Sequence, residues 1–352
     1  MTKASNRDAS SETGRRRFLQ YMAMVGVGGQ VLLRSGNAHA AVDAARSVAA
    51  ESITWPEMRY RKLGRTGFEA SRLVFGCGAA LARRPNDALL QAAREAGINV
   101  FDVGTRRYYN DAEQNLAPFL KTARDEIFLI SKAMTYLDVP PDHDVSVAEA
   151  KTAATTWLGL LDESLGELGV EHVDAYYVMG ANNPSVIRSE EILAAAATAR
   201  QAGKITHLGL STHQNAQRVL EAAIESGAYS LAQIAITPAG WYDWEDKGIL
   251  SGTAPMVALQ PFLAKARDAG IGLIGMKAGR YLAGRKFLGW GKPDAFDEHY
   301  DAAFLASGLS AFQRSYAFVL EHGLDGVNAD MQTLAHLHEN VVATATSDRY
   351  FG

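Results

Sequence analysis

The stretch Glu190-Glu191-Ile192-Leu193-Ala194-Ala195-Ala196-Ala197-Thr198-Ala199-Arg200-Gln201-Ala202-Gly203-Lys204-Ile205-Thr206-His207-Leu208-Gly209-Leu210-Ser211 reads as one helix, one glycine stop and one short apolar strand. Gly203 sits one step before the strand. A glycine just past a helix adopts the left-handed C-cap conformation without a Cβ clash, so it marks the helix end with a mechanism. Gly97, Gly270 and Gly323 punctuate the chain in the same way.

Working outward, apolar runs fall at 73–75, 99–102, 127–132, 175–179, 205–211, 231–236, 272–276 and 326–328. Helical stretches lie between them at 87–96, 112–121, 146–168, 190–202, 214–226, 261–269 and 310–321, and 333–343 closes the series. Strands alternating with helices at this spacing argue for a parallel sheet. Eight such units over ~280 residues predict an α/β protein of the (β/α)8 TIM barrel type. The stretches 58–62 and 68–72, around the turn 63–67, predict a short N-terminal β-hairpin before it. A doubly wound sheet is the alternative, but Gly76-Cys77-Gly78 lacks the third glycine of a dinucleotide fingerprint. A barrel places function at the C-terminal ends of its strands.

Composition narrows the class. The 352 residues are 47% apolar and 21% charged, enough for a sizeable core and unlike a disordered chain. A lone cysteine, Cys77, excludes an intramolecular disulfide, a cysteine-ligated zinc and a protein-bound iron–sulfur cluster. The formal charge of −4 gives no global basic footprint for nucleic acid.

The first forty residues differ from the rest. Arg15-Arg16-Arg17-Phe18-Leu19 precedes a soft apolar run at 21–33, and Ala38-His39-Ala40 supplies a small-x-small cleavage pattern. This order resembles a twin-arginine signal peptide. It implies a signal at 1–40, a linker at 41–56 and a barrel domain at 57–352. The chain is then expected to engage the twin-arginine export machinery, to cross folded and to be periplasmic. The apolar run is too short for a spanning helix, so no membrane anchor is expected in the mature chain. That mature chain would carry 29 basic and 37 acidic residues, a formal charge of −8.

The strand ends carry a second resemblance. Gly97-Ile98-Asn99-Val100-Phe101-Asp102 leads to Tyr109-Asn110-Asp111-Ala112-Glu113, then Ile127-Phe128-Leu129-Ile130-Ser131-Lys132. Asp174-Ala175-Tyr176-Tyr177, Gly209-Leu210-Ser211-Thr212-His213 and Gly272-Leu273-Ile274-Gly275-Met276-Lys277 follow. In this order the series resembles the aldo/keto reductase superfamily, especially its bacterial branch with Met-Lys at the seventh strand, over residues 57 to about 343.

Chemistry reaches the same residues. Reducing a carbonyl with hydride needs a proton donor for the developing alkoxide. A tyrosine becomes a usable acid beside a buried ammonium, and a carboxylate holds that lysine. Asp102, Tyr109 and Lys132 are this trio by residue type. Taken singly, each also fits a solvated strand-end Asp, a surface Tyr or a snorkelling Lys; the set in family order points to catalysis. The Tyr-x-x-x-Glu spacing to Glu113 favours Tyr109 over Tyr108, while Arg106-Arg107 lengthens the gap from Asp102 beyond the family's usual one.

The resemblance implies further residues. The family's histidine at the fourth strand end is Met179 here, which can neither titrate nor donate a hydrogen bond to a carbonyl oxygen. Asn182, Asn183 and His213 are alternative sources of a polar group. Ser211 and Gln233 match the family's nicotinamide carboxamide partners, and Met276 and Lys277 stand where other branches stack a tyrosine on the ring. Glu339 and Asn340 match the adenine-contacting pair. Asp330, Gln332 and His336 stand near the 2′-phosphate site, where cations are usual; Arg280 and Arg285 are the other cations within reach. The cofactor is therefore NADP or NAD, with a small carbonyl or alcohol as substrate and hydride transfer as reaction. A non-catalytic nucleotide- or ligand-binding barrel, suggested by Met179, and an epimerase or lyase on the same fold are the rival readings. Trp241-Tyr242-Asp243-Trp244 is either a wall of the substrate pocket or packing over the barrel, and Cys77 is read as a small core residue.

Overall fold

A computed structural model describes residues 55–283 and 291–346. The predicted signal segment 1–40 with its arginines, the predicted linker as far as residue 54, and Arg285 lie outside the described residues. The compact unit that holds the rest begins at Trp55, whose ring lies 6.0 Å from that of His338.

A hairpin of β1 (Tyr60–Lys62) and β2 (Glu69–Ser71) comes first. Then follow β3 (Leu73–Gly76), β4 (Val100–Asp102), β5 (Phe128–Met134), β6 (Val173–Met179), β7 (Ile205–Thr212) and β8 (Leu231–Thr237). After β8 the chain inserts an antiparallel extension, β9 (Gly240–Asp243) and β10 (Gly248–Ile249), before β11 (Gly272–Met276) and β12 (Gly326–Asp330). The eight strands β3–β8, β11 and β12 pair in parallel, and β7 with β8 and β12 with β3 complete the ring. This is a closed (β/α)8 barrel, and all eight predicted strands are in it.

The helices are α1 (Cys77–Leu81), α2 (Asp87–Glu95), α3 (Arg106–Tyr109), α4 (Ala112–Ala123), α5 (Val147–Leu168) and α6 (Pro184–Arg188). They continue with α7 (Glu190–Gln201), α8 (Ala216–Ser226), α9 (Met256–Asp268), α10 (Ala302–Leu305), α11 (Ala311–Glu321) and α12 (Leu334–Thr346). The glycine stops read from sequence all have positive φ, between 71° and 123° at Gly97, Gly203, Gly270 and Gly323. One boundary differs: α9 starts at Met256, five residues before Pro261, which lies inside the helix.

Two apolar layers hold the barrel. Outside the strands, Phe101, Trp157, Leu160 and Leu273 pack beneath the helices. Inside, Val74, Val100, Ile130, Tyr177, Leu231 and Ile274 fill the bore, and the hairpin turn joins them through Leu63 and Phe68. Burying a side chain such as Leu63 contributes about 1.5–3 kcal/mol. The turn seats so closely that a Cβ on Gly64 would lie 2.3 Å from the Gly272 nitrogen. With one end filled in this way, the ring of strand C-termini is left as the functional face.

Candidate active site

Asp102 is the last residue of β4, and Lys132 lies on the neighbouring strand β5. Both are buried, at 4% and 3% exposure. The Lys132 ammonium donates to both Asp102 carboxylate oxygens, at 2.6 and 2.5 Å, and to the Val103 carbonyl at 2.7 Å. A buried pair of this kind is maintained only when its remaining polar valences are met. Asn328 meets one: its amide donates to Asp102 Oδ2 from across the barrel wall. Gly76 makes the room, since a Cβ there would sit 2.6 Å from Asn328 Oδ1. Asn328 was not among the residues singled out from sequence. Its signal is a carboxamide between the buried Val327 and Ala329 of a short strand.

Tyr109 is the third member. Arg106 and Arg107, which lengthen the chain after Asp102, add the helical turn α3 that delivers it. The ring slots between two glycines: a Cβ on Gly78 would lie 2.4 Å from it, and one on Gly104 2.8 Å. Lys132 Nζ stands 5.2 Å from the ring centroid. Tyr108, by contrast, is 44% exposed and packs against the outer side of Tyr109. The turn is tied to α5 by Arg106–Glu167 and Arg107–Glu163 at 3.3 and 3.4 Å, exposed pairs of small energetic weight.

The electrostatics depart from the simple expectation. Burial pushes the Tyr109 phenol well above its ordinary range, and the Asp102 charge adds to that. The Lys132 ammonium beside the ring is held by Asp102 and the Val103 carbonyl. Tyr109 is therefore held protonated, as a donor must be. Behind the strand, Glu113 is fully buried and accepts from Ser131 Oγ at 2.6 Å. Burial raises its carboxyl to about 7, against the opposing hydrogen bonds from Ser131 and Ser164.

Met179 ends β6 beside Ser211 of β7. It lines a cavity of about 130 Å³ together with Met134, Tyr136, Leu137 and Asn182. Asn183 is not available to replace a histidine. Its amide donates to the Pro140 and His143 carbonyls and its oxygen caps α6. His213 lies just past β7, with its ring 5.5 Å from that of Trp244.

The cofactor candidates divide into two groups. Ser211 and Gln233 are cross-strand partners, buried at 1% and 4% exposure. Among the described residues, Ser211 Oγ and Gln233 Oε1 have no hydrogen-bond partner, while Gln233 Nε2 points at Met276 Sδ, 3.7 Å away. Met276 packs with Ala235 and Tyr242. Lys277 follows in left-handed backbone (φ 67°), its ammonium 4.4 Å over the Trp244 ring. Burial lowers it to about 8, with Asp330 acting in the opposite direction. At the other end, Asp330 ends β12 and bonds Gln332, and His336 lies within its field. Glu339 accepts from Ser310 Oγ at 2.6 Å, so its carboxylate is committed to the neighbouring helix start. Asn340 is buried on α12. The aromatic run divides too: Trp241 packs down against Phe262, whereas Tyr242 and Trp244 face Met276 and Lys277. Cys77 is fully buried in the outer core.

Known proteins resemble this chain. L-glyceraldehyde 3-phosphate reductase of Escherichia coli (strain K12) is 30% identical over 181 residues, 47% of this chain and 49% of that protein. The same-named protein of Escherichia coli O157:H7 gives the same figures, so the chain spans about half the length of the curated relatives it matches. An aldo-keto reductase structure from Pseudomonas aeruginosa is similar with TM-score 0.57 and 20% identity, covering 82% of this chain and 94% of that one. A thermostable aldo-keto reductase in complex with epalrestat gives TM-score 0.58 and 22% identity, over 82% and 94%. These two are likenesses of fold. The profile of the Aldo/keto reductase family matches residues 75–250, half of the chain, and the chain belongs to that family.

Proposed function

We propose that the protein is an NAD(P)-dependent oxidoreductase that interconverts a small carbonyl compound and its alcohol. The observation that carries this reading is the buried Asp102–Lys132 pair with Tyr109 slotted beside it. The cofactor fits the orphan atoms: a nicotinamide carboxamide offers N–H to Gln233 Oε1 and a carbonyl oxygen to Ser211 Oγ. Met276 offers an apolar face beside them.

When bound, the reduced nicotinamide supplies a hydride to the carbonyl carbon. Tyr109 gives its proton to the carbonyl oxygen, which leaves as the alcohol, and solvent reprotonates the phenolate. Lys132 stabilises that phenolate while it lasts, and Asp102 with Asn328 fixes Lys132. Asp330 and Gln332 near the 2′-phosphate position favour NAD at least as much as NADP.

The test is nicotinamide oxidation over an aldehyde panel, together with the mass of any nucleotide that co-purifies. A phosphorylated aldehyde belongs in the panel, because the Escherichia coli relatives are named for one. Met179 favours a second reading, a barrel that binds nucleotide without turnover; bound nucleotide with no oxidation across the panel selects it.

We also propose export in the folded state through the twin-arginine route to the periplasm. Changing Arg15 and Arg16 to Lys should abolish a shortened chain starting near Ala41. Continued cleavage of the double variant would exclude that route.

A further inference from the structure

We propose that Glu113 is a positioning residue for the reductase centre: through Ser131 it acts on Lys132, and reduction is fastest while its carboxyl carries no charge. The inference rests on the reading of the protein as a carbonyl reductase and adds a residue from the outer side of the barrel wall.

Connection comes first. Ser131 and Lys132 are neighbours on β5, so strand alternation sends their side chains to opposite faces of the wall. Lys132 bonds Asp102 on one face, and Ser131 bonds Glu113 of α4 on the other. One hydroxyl joins the two. Ser131 Oγ donates to Glu113 Oε1 at 2.6 Å and accepts the Lys132 backbone N–H at 2.7 Å. A serine hydroxyl has one proton and two acceptor sites, so it fills both roles at once. Glu113 also stands four positions after Tyr109 in the chain. It therefore lies where the helix that follows the general acid meets the strand that carries the ammonium.

Burial comes second. Glu113 is 1% exposed, and among the described residues its second oxygen, Oε2, has no hydrogen-bond partner. Burying a carboxyl with one oxygen unpaired costs free energy, and a role in the site's chemistry is one reason for such a group to persist.

Charge comes third. The groups facing the carboxyl are Ser131 and Lys132 from β5, Tyr176 from β6, and Ser164 and Glu167 from α5. Glu167 is itself paired with Arg106 of α3 at 3.3 Å. Burial raises the carboxyl to about 7, Glu167 adds to that, and the two hydroxyls and the Lys132 charge oppose it. Above that value an anion stands behind Lys132. Reduction leaves Tyr109 briefly as a phenolate, and the Lys132 ammonium, 5.2 Å from the ring centroid, offsets that charge. A second anion facing the same ammonium disfavours the phenolate. Loss of the Glu113 proton should therefore slow proton transfer and leave nucleotide binding alone.

The experiment uses the full chain loaded with NADH or NADPH and follows the single-turnover rate of aldehyde reduction from pH 6 to pH 8.5. The rate in the unaltered protein should fall about three- to tenfold, the effect of one added charge in a partly shielded interior. The midpoint should lie at about 7. Glu113→Gln keeps an acceptor for Ser131 but cannot ionise, so it should show no such step, with nucleotide Kd the same in both proteins. Ser131→Ala cuts the connection and should lower the rate about tenfold at every pH through a small displacement of Lys132, and Ser131→Thr should recover most of that. A second readout needs no turnover. The protonated-carboxyl stretch of Glu113 in the infrared, assigned by its loss in Glu113→Gln, should titrate at about 7. Lys132→Met should move that midpoint upward, because a facing cation is gone. Parallel pH–rate profiles in the unaltered protein and Glu113→Gln overturn the proposal, and so does a carboxyl titration that Lys132→Met leaves in place. If the carboxyl responds to Lys132 but no aldehyde is reduced, the reductase reading falls and the coupling of Glu113 to Lys132 stands.

Discussion

One position in the chain separates Tyr109, clasped between Gly78 and Gly104, from Tyr108, which is 44% exposed. Only Tyr109 shares its surroundings with the Lys132 ammonium. Tyr109→Phe should therefore lower carbonyl reduction about 10²–10⁴-fold, the range for a lost general acid, while nucleotide affinity stays unchanged. Tyr108→Phe should be near wild type; the reverse pattern would assign the donor to Tyr108. The nucleotide end gives a second prediction. A unit charge ~4 Å from a phosphate is worth roughly 4 kcal/mol at an effective dielectric of 20, before screening. With Asp330 and Gln332 there, NAD affinity should equal or exceed that for NADP, and Asp330→Gly with Gln332→Arg should move the ratio towards NADP. Titration of both nucleotides decides it, and a clear NADP preference in the unaltered protein would defeat the argument. Tyr109 was legible because its spacing to Glu113 is local in the chain. Asn328 was not, because its partner Asp102 is 226 positions away and only barrel closure brings them together.

At the scale of elements, the slot for Tyr109 is built by Gly78 of α1 and Gly104 in the turn after β4. Glycine is required for contact here, since neither Gly78 nor Gly104 has positive φ. Gly78→Ala places a methyl group 2.4 Å from the ring, so the ring must move. Displacing a reacting group by about 1 Å costs on the order of 10²-fold in rate. The expected outcome is a large fall in kcat with nearly unchanged nucleotide affinity and modest change in Tm. Equal kcat in Gly78→Ala would mean that Tyr109 works from elsewhere. Element types were readable because strands and glycine stops repeat at regular spacing, but two boundaries were not. Pro261 suggests a helix start, yet the buried Met256 and Leu259 anchor an earlier turn, and α9 continues through the proline. The connection after β8 reads as a long loop. It forms β9 and β10, with Trp241 packed into the core and Tyr242 and Trp244 packed with Met276.

For the whole molecule, the eightfold alternation pointed to the architecture, since a closed barrel buries both faces of eight short parallel strands and leaves no edge strand unpaired. The barrel wall also carries a titration that sequence could not reveal. Glu113 opens α4 as an ordinary helix-start carboxylate, but folding places it among Ser131, Ser164, Tyr176 and Leu116, with Lys132 and Glu167 as the facing charges. Its carboxyl rises from 4.5 in the unfolded chain to about 7 in the fold. Between those values the folded state binds the proton more tightly than the unfolded state, so stability falls as pH rises through this window and levels off above about 7. At 1.36 kcal/mol per pKa unit the full effect is about 3 kcal/mol, a sizeable part of ordinary domain stability. Glu113→Gln keeps the acceptor for Ser131 and removes the titration. Its stability relative to the unaltered protein should therefore grow from pH 5 to pH 8, read as denaturant midpoints at matched ionic strength. Parallel curves for the two proteins across that range would show that Glu113 is already ionised in the fold, and that the Lys132 charge across the strand outweighs its burial.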